Sequence, residues 1–257
     1  MTNKLALSCA LCAFPLSVFA ADEPVTPVFQ ASAQLGGLYQ TGNNQSSDIK
    51  AGFDLNYNVA SWHNIFSFDL LVKKTEQLNE QGQTQLQTSD QKWNVNAKSN
   101  YSIDPASKKY IYATGSYENN KFGNYEAQSS VSAGWGRRLI NTKVTKFDLD
   151  IGPGFKRDVT RATDLIPKQT NSGFIVQATG TYSHNLNDFV QLRQMITAKT
   201  ALKSSENSQY QSETSITTKL IETLQLKFSI KIEHNTKVDP GRKKTDTETA
   251  VTLVYSF

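Results

Sequence analysis

The chain has 257 residues, 38% of them hydrophobic, a mean hydropathy of −0.47 and a formal net charge of +4. So small a positive excess gives no reason to expect a polyanion, and no nucleic acid is expected as a partner. Beyond the amino terminus no apolar run is long enough for a helical membrane span; a membrane barrel, with only every second residue facing lipid, gives the same averages as a soluble protein.

The amino terminus reads as an export signal. Lys4 supplies a basic start, Leu5 through Phe19 is apolar apart from Ser8 and Ser17, and Val18-Phe19-Ala20 precedes the polar Ala21-Asp22-Glu23-Pro24. The run is too short for a transmembrane helix, so residues 1–20 are expected to be a cleaved signal peptide. A lipoprotein signal fits poorly: Cys12 follows a bulky Leu11, and Cys9 leaves almost no apolar stretch before it. Both cysteines fall in the segment to be removed. The mature chain of about 237 residues therefore has no thiol for a disulfide, a nucleophile or a metal site. Residues 21–28 are expected to be a short periplasmic segment and 29–257 the folded domain.

From there on the chain alternates. After a weak strand near Gln30–Tyr39, Ile49, Ala51, Phe53, Leu55, Tyr57 and Val59 alternate with Lys50, Gly52, Asp54, Asn56 and Asn58. Strict period two over eleven residues means a strand with one apolar and one wet face. A weaker segment, Phe66–Val72, follows. Then Trp93, Val95, Ala97, Ser99 and Tyr101 line one face against Asn94, Asn96, Lys98 and Asn100 on the other. Tyr110–Tyr117 is strand-like, but its apolar residues occupy both phases and the lipid face stays open. Val131, Ala133 and Trp135 share a face, as do Phe147, Leu149, Ile151 and Phe155, then Phe174, Val176, Ala178 and Tyr182. Pro153 between Gly152 and Gly154 cannot donate to a ladder and suggests a bulge or bend. Weak segments at Val190–Ala198 and Tyr210–Leu220 precede a clear strand, Leu224 to Ile232. A last one carries Val251, Leu253, Tyr255 and Phe257 on one face.

The count is about twelve strands of about ten residues, the length a tilted strand needs to cross a bilayer. Polar connections alternate long (near 40–48, 74–90, 118–124, 157–171, 199–209, 235–245) and short (near 60–64, 104–108, 140–146, 185–188, 221–223). Long outer loops and short periplasmic turns are the habit of transmembrane barrels, and an even strand count puts both termini in the periplasm. Aromatics sit toward strand ends (Tyr39, Tyr57, Trp62, Trp93, Tyr101, Phe147, Phe155, Tyr182), as interfacial girdles do. A secreted β-sandwich also alternates, but has no reason to sort its connections. The expected fold is all-β: a transmembrane antiparallel up-and-down β-barrel of about 12 strands, preceded by a cleaved signal peptide, in the outer membrane of a Gram-negative bacterium. The closing Val251, Leu253, Tyr255 and Phe257 resemble the insertion signal of such barrels, so membrane lipid and the barrel-insertion machinery are expected partners.

Leu38-Tyr-Gln-Thr-Gly-Asn43 with Ser46-Ser47, Gly134-Trp-Gly-Arg-Arg138, Asp150-Ile-Gly-Pro-Gly-Phe155 and Tyr255-Ser-Phe257 are similar to the proteins labelled salt-induced outer membrane proteins, domain of unknown function 481. The resemblance covers nearly all of the mature chain. It implies an outer-membrane barrel of this strand order, without an established substrate; the label suggests an osmotic or ionic setting.

No catalytic machinery is expected. His63 and His184 fall in short turns and His234 at the outer rim, with nothing marking a serine triad. Asp148 and Asp150 lie about 7 Å apart on one wet face, close enough for acid–base work, but such pairs more often answer basic groups across a lumen. Asp158, Asp164 and Asp239 lack calcium-loop spacing, and neither Gly36-Gly37 nor Gly134 with Gly136 precedes a helix, so no metal or cofactor is expected. By alternation the wet face carries Lys50, Asp54, Asp69, Lys73, Lys92, Lys98, Arg138, Asp148, Asp150, Lys156, Arg193, Glu213, Lys219, Lys227, Lys231, Glu233 and Glu248. Twelve strands lie between the eight that side chains fill and the sixteen that leave a channel. Two readings stand: a small passive pore for ions or small polar solutes, with slight anion preference, or a closed structural or surface-interaction barrel. A barrel hydrolase is a distant third.

Overall fold

The computed structural model of the chain describes residues 27–40, 46–78, 84–104, 108–162, 167–238 and 242–257; the expected signal peptide lies outside them. The strands are β1 (Val28–Gln40), β2 (Ser46–Val59), β3 (Trp62–Leu78), β4 (Thr84–Asp104), β5 (Lys109–Asn120), β6 (Tyr125–Asn141), β7 (Thr145–Thr160), β8 (Thr170–Asn185), β9 (Val190–Ala201), β10 (Gln209–Lys219), β11 (Leu224–Asn235) and β12 (Thr245–Ser256). Each pairs antiparallel with its sequence neighbours, and β1 pairs with β12, so the sheet closes into an up-and-down ring. At the seam Ala31 N donates to Phe257 O at 3.0 Å and Phe257 N to Ala31 O at 2.9 Å. The seam register joins Ser32–Leu35 to Leu253–Ser256, and closure of this kind is the condition for strands to cross hydrocarbon.

The two faces differ as the alternation requires. Residues opposite one another in register share a face. Val131, Phe155 and Phe174 follow one another across β6, β7 and β8 and all point outward. Trp135 and Phe174 are each 67% exposed. So much bare apolar surface is costly in water and favourable in lipid, and the ring is a transmembrane barrel of the outer-membrane type. Val251, Leu253, Tyr255 and Phe257 are on this outer face too. Aromatic pairs ring both ends. Trp62 meets Tyr101 at 5.0 Å and Phe147 meets Tyr182 at 6.5 Å at one end; Trp93 meets Tyr117 at 5.2 Å and Phe155 meets Phe174 at 5.6 Å at the other. Trp93 and Tyr101 are eight residues apart on β4, about 26 Å along the strand.

The connections are sorted, but the longer set is shorter than the sequence suggests. One end has links of two to four residues; the other has four to nine. Much of the expected loop 74–90 is ladder, because β3 runs to Leu78 and β4 starts at Thr84. β5 continues to Asn120, β7 to Thr160 and β9 to Ala201. Once a strand leaves the membrane both its faces are polar and alternation no longer marks it.

Two local expectations are settled. In β5, Ile111, Ala113, Gly115 and Tyr117 face outward, while Tyr110 and Tyr112 are buried inside. At Gly152-Pro153-Gly154 there is no bulge: the β7–β8 register runs straight through Pro153, opposite Val176. The irregularities of β6 against β7 lie at Tyr125/Ala127 and Arg138/Ile140 instead. What the glycines allow is close approach. A Cβ on Gly134 would stand 2.2 Å from Ile151 O and 2.5 Å from Gly152 Cα, both backbone atoms of the adjacent strand. Gly134→Val is therefore expected to force β6 from β7, and the refolded protein should lose its heat-shifted gel mobility; a normally folded variant would refute this close packing.

Candidate functional site

The interior of the ring is where chemistry is concentrated. The register places Lys50, Asp54, Asp69, Lys92, Lys98, Asp148, Asp150, Arg193, Glu213, Lys227, Lys231 and Glu248 on its inward face. Bridges between distant strands, possible only through the lumen, identify that face independently.

At the end with longer connections the polar groups form a bar from wall to wall. Lys92 Nζ on β4 lies 3.2 Å from Glu118 Oε1 on neighbouring β5 and 3.3 Å from Glu233 Oε2 on β11. β4 and β11 stand five strands apart one way round and seven the other, so this pair spans the barrel. Glu233 Oε1 accepts from Gln209 Nε2 at 2.9 Å and Asn235 Nδ2 at 3.4 Å, and Lys231 approaches its other oxygen at 3.9 Å. Gln209 also donates to Gln128 on β6 at 3.3 Å, and Gln128 to Asp158 on β7 at 3.1 Å. Asp158 pairs with Lys156, both almost fully buried. Lys199 Nζ donates to Ser116 Oγ at 3.0 Å. Buried charges are costly unless paired and hydrogen-bonded, and here all but Lys199, which has a hydroxyl alone, lie against an opposite charge.

The described parts of the β11–β12 connection, 236–238 and 242–244, reach the turn across from them. Tyr125 OH donates to Lys237 O at 2.5 Å, Asn124 Nδ2 to Lys243 O at 2.8 Å and Arg242 Nη1 to Phe122 O at 3.1 Å. That turn, between β5 and β6, is on the opposite side of the ring. Beside the bar, a cavity of about 240 Å³ remains, bounded by Leu71, Lys73, Asp90, Lys231, Asp246 and Glu248. Lys50 reaches over β1 to Glu248 at 2.6 Å.

Further down, Lys98 pairs with Asp150, whose other oxygen accepts from Tyr110 OH at 2.6 Å. The Lys98 ammonium also lies 5.9 Å and 5.4 Å from the Tyr110 and Tyr112 ring centres, within cation–π range. Gly136 makes room for this: a Cβ there would stand 2.1 Å from the Tyr110 ring. Gln34 donates to Asp54 at 2.6 Å and Lys227 approaches Glu213 at 3.5 Å. Arg138 grips Asp148 with two bonds of 2.7 and 3.0 Å at the rim. Of the expected lumen residues, Asp54, Asp69, Lys73, Arg193 and Lys219 have no ion pair among the described residues.

Asp148 and Asp150 are therefore held apart by Arg138 on one and by Lys98 with Tyr110 on the other. The three histidines do not converge: His63 bonds Asn58, His184 meets Thr145 Oγ1 at 2.8 Å and His234 meets Thr245 Oγ1 at 2.8 Å. Asp158 is a strand residue inside the barrel, whereas Asp164 and Asp239 lie outside the described residues. Sequence reasoning missed Glu118 and Lys199, which sit where loops seemed to begin. It also missed interior Tyr110, Tyr112 and Ile175, whose apolar character points by rule toward lipid. Asp150→Asn is expected to strand the Lys98 charge and lower stability by about 3 kcal/mol, the order of loss when one partner of a buried pair is removed. Urea unfolding from detergent micelles measures it, and Asp150→Asn with Lys98→Met should recover part of the loss.

The chain resembles an uncharacterized protein, YdiY, from Escherichia coli strain K12, with 24% identity over 241 residues, 92% of this chain and 87% of that one. Among solved structures it is similar to the COG4313 outer membrane channel from Pseudomonas putida F1 (10% identity, TM-score 0.47, 92% of this chain and 97% of that one). The translocator domain of autotransporter NalP from Neisseria meningitidis gives 10% identity and a TM-score of 0.44, over 92% of this chain and 90% of that one. Residues 33–257 match the model of the family described as protein of unknown function, DUF481. With nearly the whole barrel matched, the chain belongs to the DUF481 family.

Proposed function

We propose that this barrel is a narrow outer-membrane channel for ions or small polar solutes, gated at the end with longer connections. That end faces the outside of the cell and both termini face the periplasm. The observation that carries the reading is the Lys92–Glu233 bridge between nearly opposite walls, with the charged cavity of about 240 Å³ beside it. A wall-to-wall ion pair can separate by side-chain rotation alone, leaving every backbone ladder bond in place. The space it opens is lined by Lys73, Asp90, Lys231, Asp246 and Glu248, groups that lower the barrier for small ions of either sign. Glu118, Asp158, Asp90, Asp246 and Lys199 join the ten basic and seven acidic side chains of the expected lumen, and the interior charges then balance, so neither sign of ion is strongly favoured. Assembly through the insertion machinery, reading Val251, Leu253, Tyr255 and Phe257, belongs to this proposal.

A closed structural barrel is the second reading. It is favoured by the bonds that Arg242 and Lys243 make to the β5–β6 turn on the opposite side of the mouth. Single-channel recording of the refolded, signal-free protein in a planar bilayer separates the two. Wild type should show small or infrequent steps, and Lys92→Gln with Glu233→Gln larger or more frequent ones. Silence from both correctly folded proteins would support the structural reading. Lys227→Gln should move the reversal potential toward cations; an unchanged value would count against Lys227 lining the path. For the orientation, Lys203, 76% exposed in the β9–β10 connection, is the probe. In intact cells Lys203→Cys should react with a membrane-impermeant maleimide; labelling only after lysis would invert the topology.

A further inference from the structure

The outer wall carries a feature that neither the lumen nor the fold accounts for. Arg157 lies on the lipid-facing side of β7, exposed, and among the described residues it has no acidic partner. A guanidinium on the lipid face of a barrel is unfavourable in hydrocarbon and tolerated only near an interface. The register sets Ser129 on one side of it and Ser172 on the other. Ser129 is in turn opposite Tyr117, which stacks against Trp93 in the aromatic belt at the longer-connection end. Arg157 therefore stands at headgroup depth.

Beneath it the wall is dented. A groove of about 460 Å³ runs between Tyr117 on one side and Val131 and Phe155 on the other, with Gly115 on its floor and Arg157 at its head. Its lining is mainly apolar. A cation flanked by two hydroxyls at headgroup level, above an apolar trough open to the acyl region, complements one phosphorylated lipid: phosphate above, chain below.

We propose that this groove is a binding site for a phosphorylated glycolipid of the outer leaflet, its phosphate on Arg157, Ser129 and Ser172 and one acyl chain against Gly115, Val131 and Phe155. The choice of leaflet rests on the orientation proposed above. The lipid would be an annular partner fixed at one place on the wall.

Native mass spectrometry of the full barrel, refolded in zwitterionic detergent and titrated with diphosphorylated lipid A, tests the site. Wild type should retain lipid A, and Arg157→Gln should bind it at least tenfold more weakly. Lys244→Gln, which removes an equal charge beside β12 on the other side of the ring, should behave as wild type. Gly115→Leu probes the trough: an added Cβ meets only Val131 Cγ1 at 3.9 Å and Ser130 O at 4.0 Å, so a side chain fits the fold and fills the groove. It should weaken lipid A while leaving heat-shifted mobility intact. Equal binding by wild type and Arg157→Gln overturns the proposal. Loss in Arg157→Gln but not Gly115→Leu, or full competition by inorganic phosphate, overturns the acyl-chain half. Phosphatidylglycerol binding as tightly as lipid A overturns the assignment to the outer-leaflet glycolipid. These readouts are independent of topology, so lipid A binding combined with maleimide labelling only after lysis would reject the orientation alone.

Discussion

The constraint on which everything else depends is the seam between β1 and β12. In hydrocarbon no water is available to an unpaired N–H or C=O, so a sheet crosses a membrane only when its last strand bonds to its first. Here the closure is made by Ser32–Leu35 against Leu253–Ser256, with the reciprocal Ala31 and Phe257 bonds at its end. Closure in turn divides side chains into two populations with nothing between. Leu35 opposite Leu253, and Phe53 opposite Phe68, go to lipid; the next residue along each strand goes to the interior. The charged, amide and hydroxyl side chains that lower the mean hydropathy are thereby packed into a space only two side chains across.

That confinement explains the interior chemistry. A charge pointing into a twelve-stranded ring has less access to bulk water than a surface lysine, and most find a partner on the far wall, on a neighbouring strand or two residues along their own. Lys98 finds Asp150 and two tyrosine rings, Lys156 finds Asp158, and Glu233 gathers donors from Lys92, Lys231, Gln209 and Asn235. Small residues on the wall make the reach possible: Gly136 gives up its volume to Tyr110.

How much of this was legible in the sequence follows from the same division. Strands inside the membrane announce themselves, because lipid selects one face so strongly; Ile49 to Val59 and Leu224 to Ile232 are examples. β5 did not, because Tyr110 and Tyr112 are aromatic and still belong inside, where their hydroxyls find Asp150 and Ser132. The ends of β3 and β4 beside their longer connection did not, since ladder beyond the membrane is polar on both sides. Glu118 and Lys199 were lost for that reason, although their place in the cross-lumen cluster is as central as that of Lys92. Which acid answers which base was never legible, for the partners are 52 residues apart in one pair and 141 in another, and only the closed ring makes them neighbours.

The bar between β4 and β11 has a geometrical consequence of its own. The hydrogen-bonded ladder fixes the perimeter of the wall, whereas a tie between nearly opposite strands acts on the outline that perimeter encloses. The two are independent, so an oval can become rounder with the whole ladder intact. At a given perimeter the rounder figure has the larger area. Bore is then a property of shape as well as of strand number, and two twelve-stranded rings that differ only at positions 92 and 233 would enclose different cross-sections.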